Sequence, residues 1–333
     1  MLNLSSVKKY DYIGACTFYL GAIVVVLVCQ AFAGVVASML SGVNPDIADD
    51  GIFNSAFMIV IQLANAGLIG AFCMKTRRRP GCDILVSAET EKLDLRDIFI
   101  PVLLAAALLI GMYLPTLWYG YFTTYALHIP PEAGNIDLST PSAVVLIVVA
   151  SVFLAPLCEE TIYRGVLYNG VREEKPVVKS VLLSALAFML MHMSPVQVVF
   201  QFALGVTCAF IMHKTGRLLP CILLHATANA LALVMQLTPL GEVLFSCELW
   251  LTDNVAAAVF ITIGLFAAAG AVIFVGIKFA LGKKAEKAAE EPTTEQEIRM
   301  KATRKDGTFR FYIGIAICAV MFVINLVVMA VGS

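Results

Sequence analysis

Two adjacent glutamates and an arginine, Glu159, Glu160 and Arg164, lie within one long apolar stretch of the sequence. Ionisable side chains are costly to bury in such a stretch, so they indicate either a function or a charge pair. In a helix, residues four apart share a face, which predicts that Glu160 pairs with Arg164, whereas Glu159 is turned away by ~100°. Glu159 is then the less compensated carboxylate and the better candidate for a general base. The alternative is that both acids only clamp the arginine.

Two histidines and an asparagine follow in later apolar stretches. Phe188 and His192 are four residues apart, as are His225 and Asn229, so each pair shares a helix face. Either pair could be structural, because polar side chains also join membrane helices by hydrogen bonds. Counting from the basic end of each stretch places the glutamates, both histidines and the asparagine at similar depths of ~11–17 Å. This common depth favours a single site.

Together these side chains could hydrolyse an amide bond. A carboxylate can take a proton from water, one histidine can orient that water, and the other histidine with the asparagine can donate hydrogen bonds to the developing oxyanion. No cofactor is expected. A zinc ion held by His192, His225 and Glu159 is the alternative, although the sequence contains no HExxH pattern. Cys158 is a weaker nucleophile candidate, since a thiol in an apolar setting is inert.

The composition places these residues in a membrane protein. Of the 333 residues, 60% are apolar and 14% are charged, against about 45–50% and ~25% in soluble domains. So few charged residues cannot cover the surface of a soluble protein of this length. A net charge of −1 with scattered basic residues argues against nucleic-acid binding. The expected fold is therefore all-α, a polytopic bundle of about nine (eight to nine) transmembrane helices in contact with membrane lipid.

Nine apolar runs are candidates for crossing the ~30 Å hydrocarbon core, which takes about 17–25 residues. The runs are 12–40, 52–74, 98–119, 142–171, 178–193, 196–213, 218–236, 255–281 and 310–331. Apart from Arg164, the basic residues all fall on one side of a strictly alternating nine-span map. Because Lys and Arg mark the cytoplasmic side, we expect a cytoplasmic N-terminus and an external C-terminus. The compact loops favour a prokaryotic plasma membrane.

Three regions follow from this map. Residues 1–141 form an N-terminal three-span region, and residues 142–236 form a four-span core that holds every candidate site residue. Residues 237–333 form a two-span region with a cytoplasmic loop at 282–308. That loop is rich in Ala, Lys and Glu, which is compatible with a short exposed helix, although a solvated connector is favoured.

The polar patterns resemble the three motifs of the CPBP family, the CAAX-protease and bacteriocin-processing membrane peptidases related to the Ras-converting CAAX endopeptidase. EExxxR begins at Glu159, FxxxH at Phe188 and HxxxN at His225. Each motif alone is unspecific, but all three in order on separate spans are specific. The resemblance covers about residues 142–236.

The resemblance implies an intramembrane endopeptidase that acts on a membrane-associated or lipidated protein or peptide, possibly a prenylated one. By position, Glu159 would activate water with help from His192, while Glu160 and Arg164 would support that arrangement. His225 and Asn229 would form the oxyanion site. The family is described both as metal-free glutamate peptidases and as metalloproteases. The metal-free version fits better, because asparagine is a good oxyanion donor and a poor zinc ligand.

Two other classes of protein remain open from the sequence. A proton-coupled transporter could use buried acids and histidines as a relay, but such proteins carry structural repeats and no internal repeat is visible. A catalytically silent membrane protein, serving bacteriocin immunity or peptide export, could keep the same residues for packing alone.

Overall fold

A computed structural model describes residues 12–42, 47, 50–76, 95–129, 137–281 and 294–331. Within these residues the secondary structure is helical and includes no strand. The expected all-α membrane bundle is therefore confirmed. The basic connector at 77–94 and the first part of the predicted cytoplasmic loop, 282–293, lie outside the described residues.

The helices are named here in chain order. They are α1 (Tyr12–Leu40), α2 (Gly51–Thr76), α3 (Arg96–Leu127), α4 (Pro141–Glu174), α5 (Val177–Met191), α6 (Val198–Thr215), α7 (Leu219–Leu237), α8 (Leu240–Asp253), α9 (Val255–Val275) and α10 (Thr294–Val331). A single 3₁₀ turn, Pro195–Gln197, leads into α6, and a π-helical turn, Gly276–Ala280, follows α9.

Eight of these helices are long and apolar enough to cross a membrane, so the chain is a multi-pass membrane protein. The fifth predicted span, 178–193, corresponds to α5, which has only 15 residues. That corresponds to ~22 Å of helix, less than the ~30 Å hydrocarbon thickness. The helix ends early because the chain reverses through Met193, whose φ of 50° is left-handed, and Pro195 then starts the next turn.

The connection between the seventh and eighth predicted spans is more ordered than expected. The segment 237–254 lacks the length of a span, and it was expected to be a plain loop. It contains α8, a 14-residue helix. Leu251 of α8 is buried, and the Tyr113 hydroxyl of α3 donates a hydrogen bond to Glu248. One packed face therefore holds this short helix against α3.

The predicted loop at 282–308 also differs from the expectation. A solvated connector was favoured, but the second part of the loop is helical: α10 begins at Thr294 and continues without a break to Val331. Its apolar part, Asp306–Val331, is the last candidate span. Residues 294–305 are mostly helix-favouring types such as Glu, Gln, Arg, Met and Lys, and they extend the span that follows them.

Helix α4 lies at the centre of the bundle, where it contacts α1, α2, α5, α6 and α7. Along residues 155–168 every side chain except Leu157 is buried, as expected for a helix surrounded by others. The remaining contacts tie the outer helices together: α1 packs on α10, α3 packs on α7 and α9, and α5 packs on α6. The polar residues of α4 must therefore be satisfied inside the protein.

Two π-helical stretches interrupt α4, at Val148–Leu154 and at Thr161–Tyr168. Between them lies an α-helical turn, Ala155–Glu160, that contains Pro156 and both glutamates. Proline lacks an N–H donor, and its ring crowds the preceding turn. The structure places the wider turns of the π-helical stretch Val148–Leu154 just before Pro156. Single π-turns within α-helices are frequent at functional sites.

The orientation of the chain is a testable prediction. Because α5 and α6 pack on each other as a hairpin, the C-terminus stays on the same side whether α5 crosses the membrane fully or only in part. Reporter fusions after Lys9, Pro80 and Lys287 should therefore give cytoplasmic signals, and a fusion at Ser333 should give an external signal. A cytoplasmic signal at Ser333 would contradict the orientation taken from the basic residues.

Candidate active site

Glu160 is the centre of a buried charge cluster on α4. Its Oε1 atom accepts a hydrogen bond from Arg164 Nη1 at 3.0 Å, which confirms the pairing expected from their spacing. The same oxygen lies 2.9 Å from Nδ1 of His225 on α7. The side chains of Glu160 and Arg164 are fully buried, and that of His225 is 2% exposed. Glu160 therefore neutralises the arginine and also orients the imidazole.

Two further groups contact the Arg164 guanidinium. Nη2 donates a hydrogen bond to the Gly205 carbonyl of α6 at 3.1 Å, and the guanidinium carbon lies 4.4 Å from the centre of the Phe188 ring. Gly205 has to be a small residue, because a Cβ atom there would lie 3.0 Å from the Cα of Ala185 on α5. This close approach of α5 and α6 brings the carbonyl within reach of the arginine.

Glu159 lies beside this cluster and has different partners. Its Oε1 atom accepts a hydrogen bond from Gln62 Nε2 of α2 at 3.0 Å. Its Oε2 atom lies 3.9 Å from Nε2 of His192, which is too long for a direct hydrogen bond. Glu160 thus faces Arg164, whereas Glu159 faces His192.

Phe188 of α5 holds the two histidines in place. Its ring meets His192 edge-to-face at 4.8 Å and His225 edge-to-face at 5.6 Å between ring centres. Phe188 is completely buried, and its backbone carbonyl lies 2.9 Å from His192 Nδ1. A carbonyl can only accept, so His192 carries its proton on Nδ1, and Nε2 is left facing Glu159.

Asn229 lies one turn after His225 on α7. Its Nδ2 atom donates a hydrogen bond at 2.7 Å to the carbonyl of Ser151, within the first π-helical stretch of α4. A carboxamide nitrogen carries two hydrogens, so this contact occupies one of them. All six predicted site residues therefore lie on α4, α7 and the end of α5, with direct contacts linking Glu160 to Arg164 and His225.

The residues suggested as zinc ligands do not form a ligand set. Within the described residues, no three His, Cys, Asp or Glu side chains are grouped so that they could hold a metal ion. His225 directs Nδ1 at Glu160, and His192 Nε2 stands 3.9 Å from Glu159. Of these two contacts, the one between His225 and Glu160 is a direct hydrogen bond.

Two polar contacts to this site come from helices that sequence analysis did not connect with it. Gln62 of α2 binds Glu159, and Asn325 of α10 donates a hydrogen bond at 2.8 Å to the carbonyl of Met193, the residue after His192. In the sequence, each of these two residues is marked only by an uncharged amide within an apolar span. Such amides are common between membrane helices, so the sequence offered no reason to select these two.

The stability of the fold should depend on Glu160 far more than on Glu159. Substitution of Glu160 by Gln removes the charge that neutralises a fully buried arginine, and breaking a buried pair typically costs ~3–5 kcal/mol. We expect Glu160→Gln to lower the unfolding temperature in detergent strongly, whereas Glu159→Gln changes it little. Equal unfolding temperatures for the two variants would contradict this division of roles.

Comparisons with known proteins support the family resemblance found in the sequence. Residues 141–231 match the family model described as type II CAAX prenyl endopeptidase Rce1-like. That segment contains all six candidate residues, and the match confirms the resemblance seen in the sequence. No solved structure matches the chain significantly.

Two curated proteins are similar to parts of the chain. "Putative membrane peptidase YdiL" of Bacillus subtilis is 28% identical over 127 residues, which are 38% of this chain and 52% of that protein. An uncharacterized protein of Mycoplasma capricolum is 29% identical over 159 residues, 44% of this chain and 46% of the relative. The matches thus span about half the length of these relatives. Residues 141–231 are therefore similar to the Rce1-like family of type II CAAX prenyl endopeptidases.

Proposed function

We propose that this protein is an intramembrane endopeptidase in which Glu159 activates a water molecule. One observation carries the proposal: the side chains of Glu159 and His192 are more exposed than those of Glu160 and Arg164. Their side chains are 11% and 20% exposed, whereas those of Glu160 and Arg164 are fully buried. A substrate and a water molecule can therefore reach the first pair, while the second pair supports it from behind.

The separation of Glu159 and His192 suits a water molecule that bridges them. Their facing atoms, Oε2 and Nε2, are 3.9 Å apart, and a water at about 2.8 Å from each would bridge them. With its proton on Nδ1, His192 presents Nε2 as an acceptor, so both partners accept hydrogen bonds from the same water. The two hydrogens are then directed at protein atoms, and an oxygen lone pair is left for a substrate carbonyl.

In the proposed reaction, this water attacks the carbonyl carbon of the scissile peptide bond while Glu159 takes one of its protons. The carbonyl oxygen becomes an oxyanion in the tetrahedral intermediate. When the intermediate collapses, the C–N bond breaks and Glu159 gives the proton to the leaving amine. The products are a carboxylic acid and an amine, and Glu159 returns to its starting state.

His225 and Asn229 complete the proposal as donors to the oxyanion. Glu160 holds Nδ1 of His225, so Nε2 points to the opposite side of the ring, and a protonated Nε2 can donate there. Because Glu160 accepts from Nδ1, donation from Nε2 requires a hydrogen on both ring nitrogens. The second hydrogen of Asn229 Nδ2 is the other donor. Donors fixed in advance in a dry site stabilise such intermediates strongly.

The proposed substrate is a membrane-associated protein or peptide, and prenylated C-terminal segments are the first class to test, because residues 141–231 are similar to the type II CAAX prenyl endopeptidases. The proposed catalytic unit is residues 142–236, with His192 acting as the assistant of Glu159. The flanking helices are proposed to support this unit. The proposed location is a prokaryotic plasma membrane.

Replacing Glu159 by Gln should abolish turnover without unfolding the protein. The amide has nearly the same shape but cannot accept a proton, and loss of a general base typically costs at least ~10²-fold in rate. The assay uses purified protein in lipid vesicles and a library of fluorogenic peptides, with and without a farnesylated CAAX C-terminus. Near-wild-type turnover by Glu159→Gln would refute its role as the base.

Chelation should leave the activity intact. The mechanism proposed here uses carboxylate and imidazole groups, and the described residues offer no three-ligand metal site. We therefore expect the same cleavage rate before and after dialysis against EDTA. Loss of cleavage in EDTA, with recovery on addition of zinc and stoichiometric zinc in the active protein, would overturn the metal-free mechanism.

A further inference from the structure

Helix α2 lies outside the Rce1-like segment, yet its Gln62 touches the proposed base. We propose that Gln62 is a positioning residue that occupies one oxygen of Glu159 and so makes the other oxygen the base. The inference rests on the proposed function and adds to it a residue from the N-terminal region. It also gives that region a role in the reaction.

The two oxygens of Glu159 are chemically equal but have different neighbours. Oε1 accepts a hydrogen bond from Gln62 Nε2 at 3.0 Å, and Oε2 faces His192. An ionised carboxylate can only accept hydrogen bonds, so the amide must present its NH₂ end to Oε1. Gln62 thereby fixes the rotation of the carboxyl group and directs Oε2 towards the proposed water.

A second contact fixes α2 against α4 at this point. The thiol of Cys158, the residue before Glu159, donates a hydrogen bond to the backbone carbonyl of Gln62 at 3.4 Å. Backbone and side chain of Gln62 thus contact two successive residues of α4. A sliding of α2 would break both contacts together, so the position of the amide relative to Glu159 is well determined.

The burial of Gln62 argues against a role in packing alone. The residue is 6% exposed, and its Oε1 atom has no hydrogen-bond partner among the described residues. A buried acceptor without a partner costs stability, so an apolar side chain of the same shape would fit this position at least as well. The amide is therefore better explained by its donor, which binds Glu159, than by stability.

The test compares Gln62→Met with Asn65→Leu. Methionine keeps the length of glutamine and removes only the amide. Asn65 is a matched control, because it lies one turn along α2, is 1% exposed, and has no hydrogen-bond partner for its amide among the described residues. With the best-cleaved peptide of the library, we expect Gln62→Met to lower kcat about tenfold, less than the ~10²-fold that a misplacement of 1 Å can cost, with KM and the unfolding temperature unchanged.

Asn65→Leu should keep the wild-type kcat. In a Glu159→Gln background, Gln62→Met should cause no further loss of the residual rate, because its effect passes through the carboxylate. Wild-type kcat in Gln62→Met would overturn the inference. So would a lower unfolding temperature that accounts for the lost activity, or an equal loss in Asn65→Leu, since either shows that α2 acts only through packing.

The outcomes separate the two proposals. If Glu159→Gln is inactive and Gln62→Met is as active as the wild type, the inference on Gln62 fails and the proposed function stands. If wild-type protein cleaves no peptide, or if Glu159→Gln cleaves as well as the wild type, the proposed function fails, and the role of Gln62 fails with it.

Discussion

The fully buried Arg164 is the constraint on which the rest of the site depends. A guanidinium inside a membrane bundle must be neutralised and hydrogen-bonded, because an unpaired charge there is strongly destabilising. Glu160 supplies the charge, the Gly205 carbonyl supplies an acceptor, and Phe188 covers the guanidinium with its ring. Once these groups are committed to the arginine, Glu159 is the carboxylate that remains available for chemistry.

The same constraint explains why the site needs several helices. Gly205 lets α6 approach α5 closely enough to reach the arginine, and His225 of α7 joins Glu160 from another side. Outside the Rce1-like segment, α2 contributes Gln62 to Glu159, and α10 contributes Asn325 to the turn after His192. Each helix adds one polar contact, which is the way polar groups stabilise membrane bundles without a hydrophobic driving force.

Much of this arrangement could be predicted from the sequence, since helical periodicity is a local property. The spacing of four residues correctly paired Glu160 with Arg164, and apolar length identified the spans. The shortness of α5 was visible in its apolar run, 178–193, whereas the left-handed backbone of Met193, where the helix ends, was not. The helix α8 was missed because its 14 residues are too few for a span.

Contacts between distant segments of the chain could not be predicted from the sequence either. Nothing local relates Gln62 to Glu159, which is 97 positions away, and only the packing of α2 on α4 brings them together. The hydrogen bond of Asn229 to Ser151 was likewise not foreseen, because it depends on the first π-helical stretch of α4. Long-range pairing of neutral amides leaves no periodic pattern in a single sequence.

The central claim is that Glu160 is the structural partner of Arg164, which leaves Glu159 as the proposed general base. A double-mutant cycle on the free energy of unfolding in detergent, with Glu160→Gln, Arg164→Met and the double variant, tests it most directly. The account predicts that the double variant is less destabilised than the sum of the singles by at least ~2 kcal/mol, because removing both charges strands neither. Additive losses would contradict it, as would an equally strong coupling of Arg164 to Glu159.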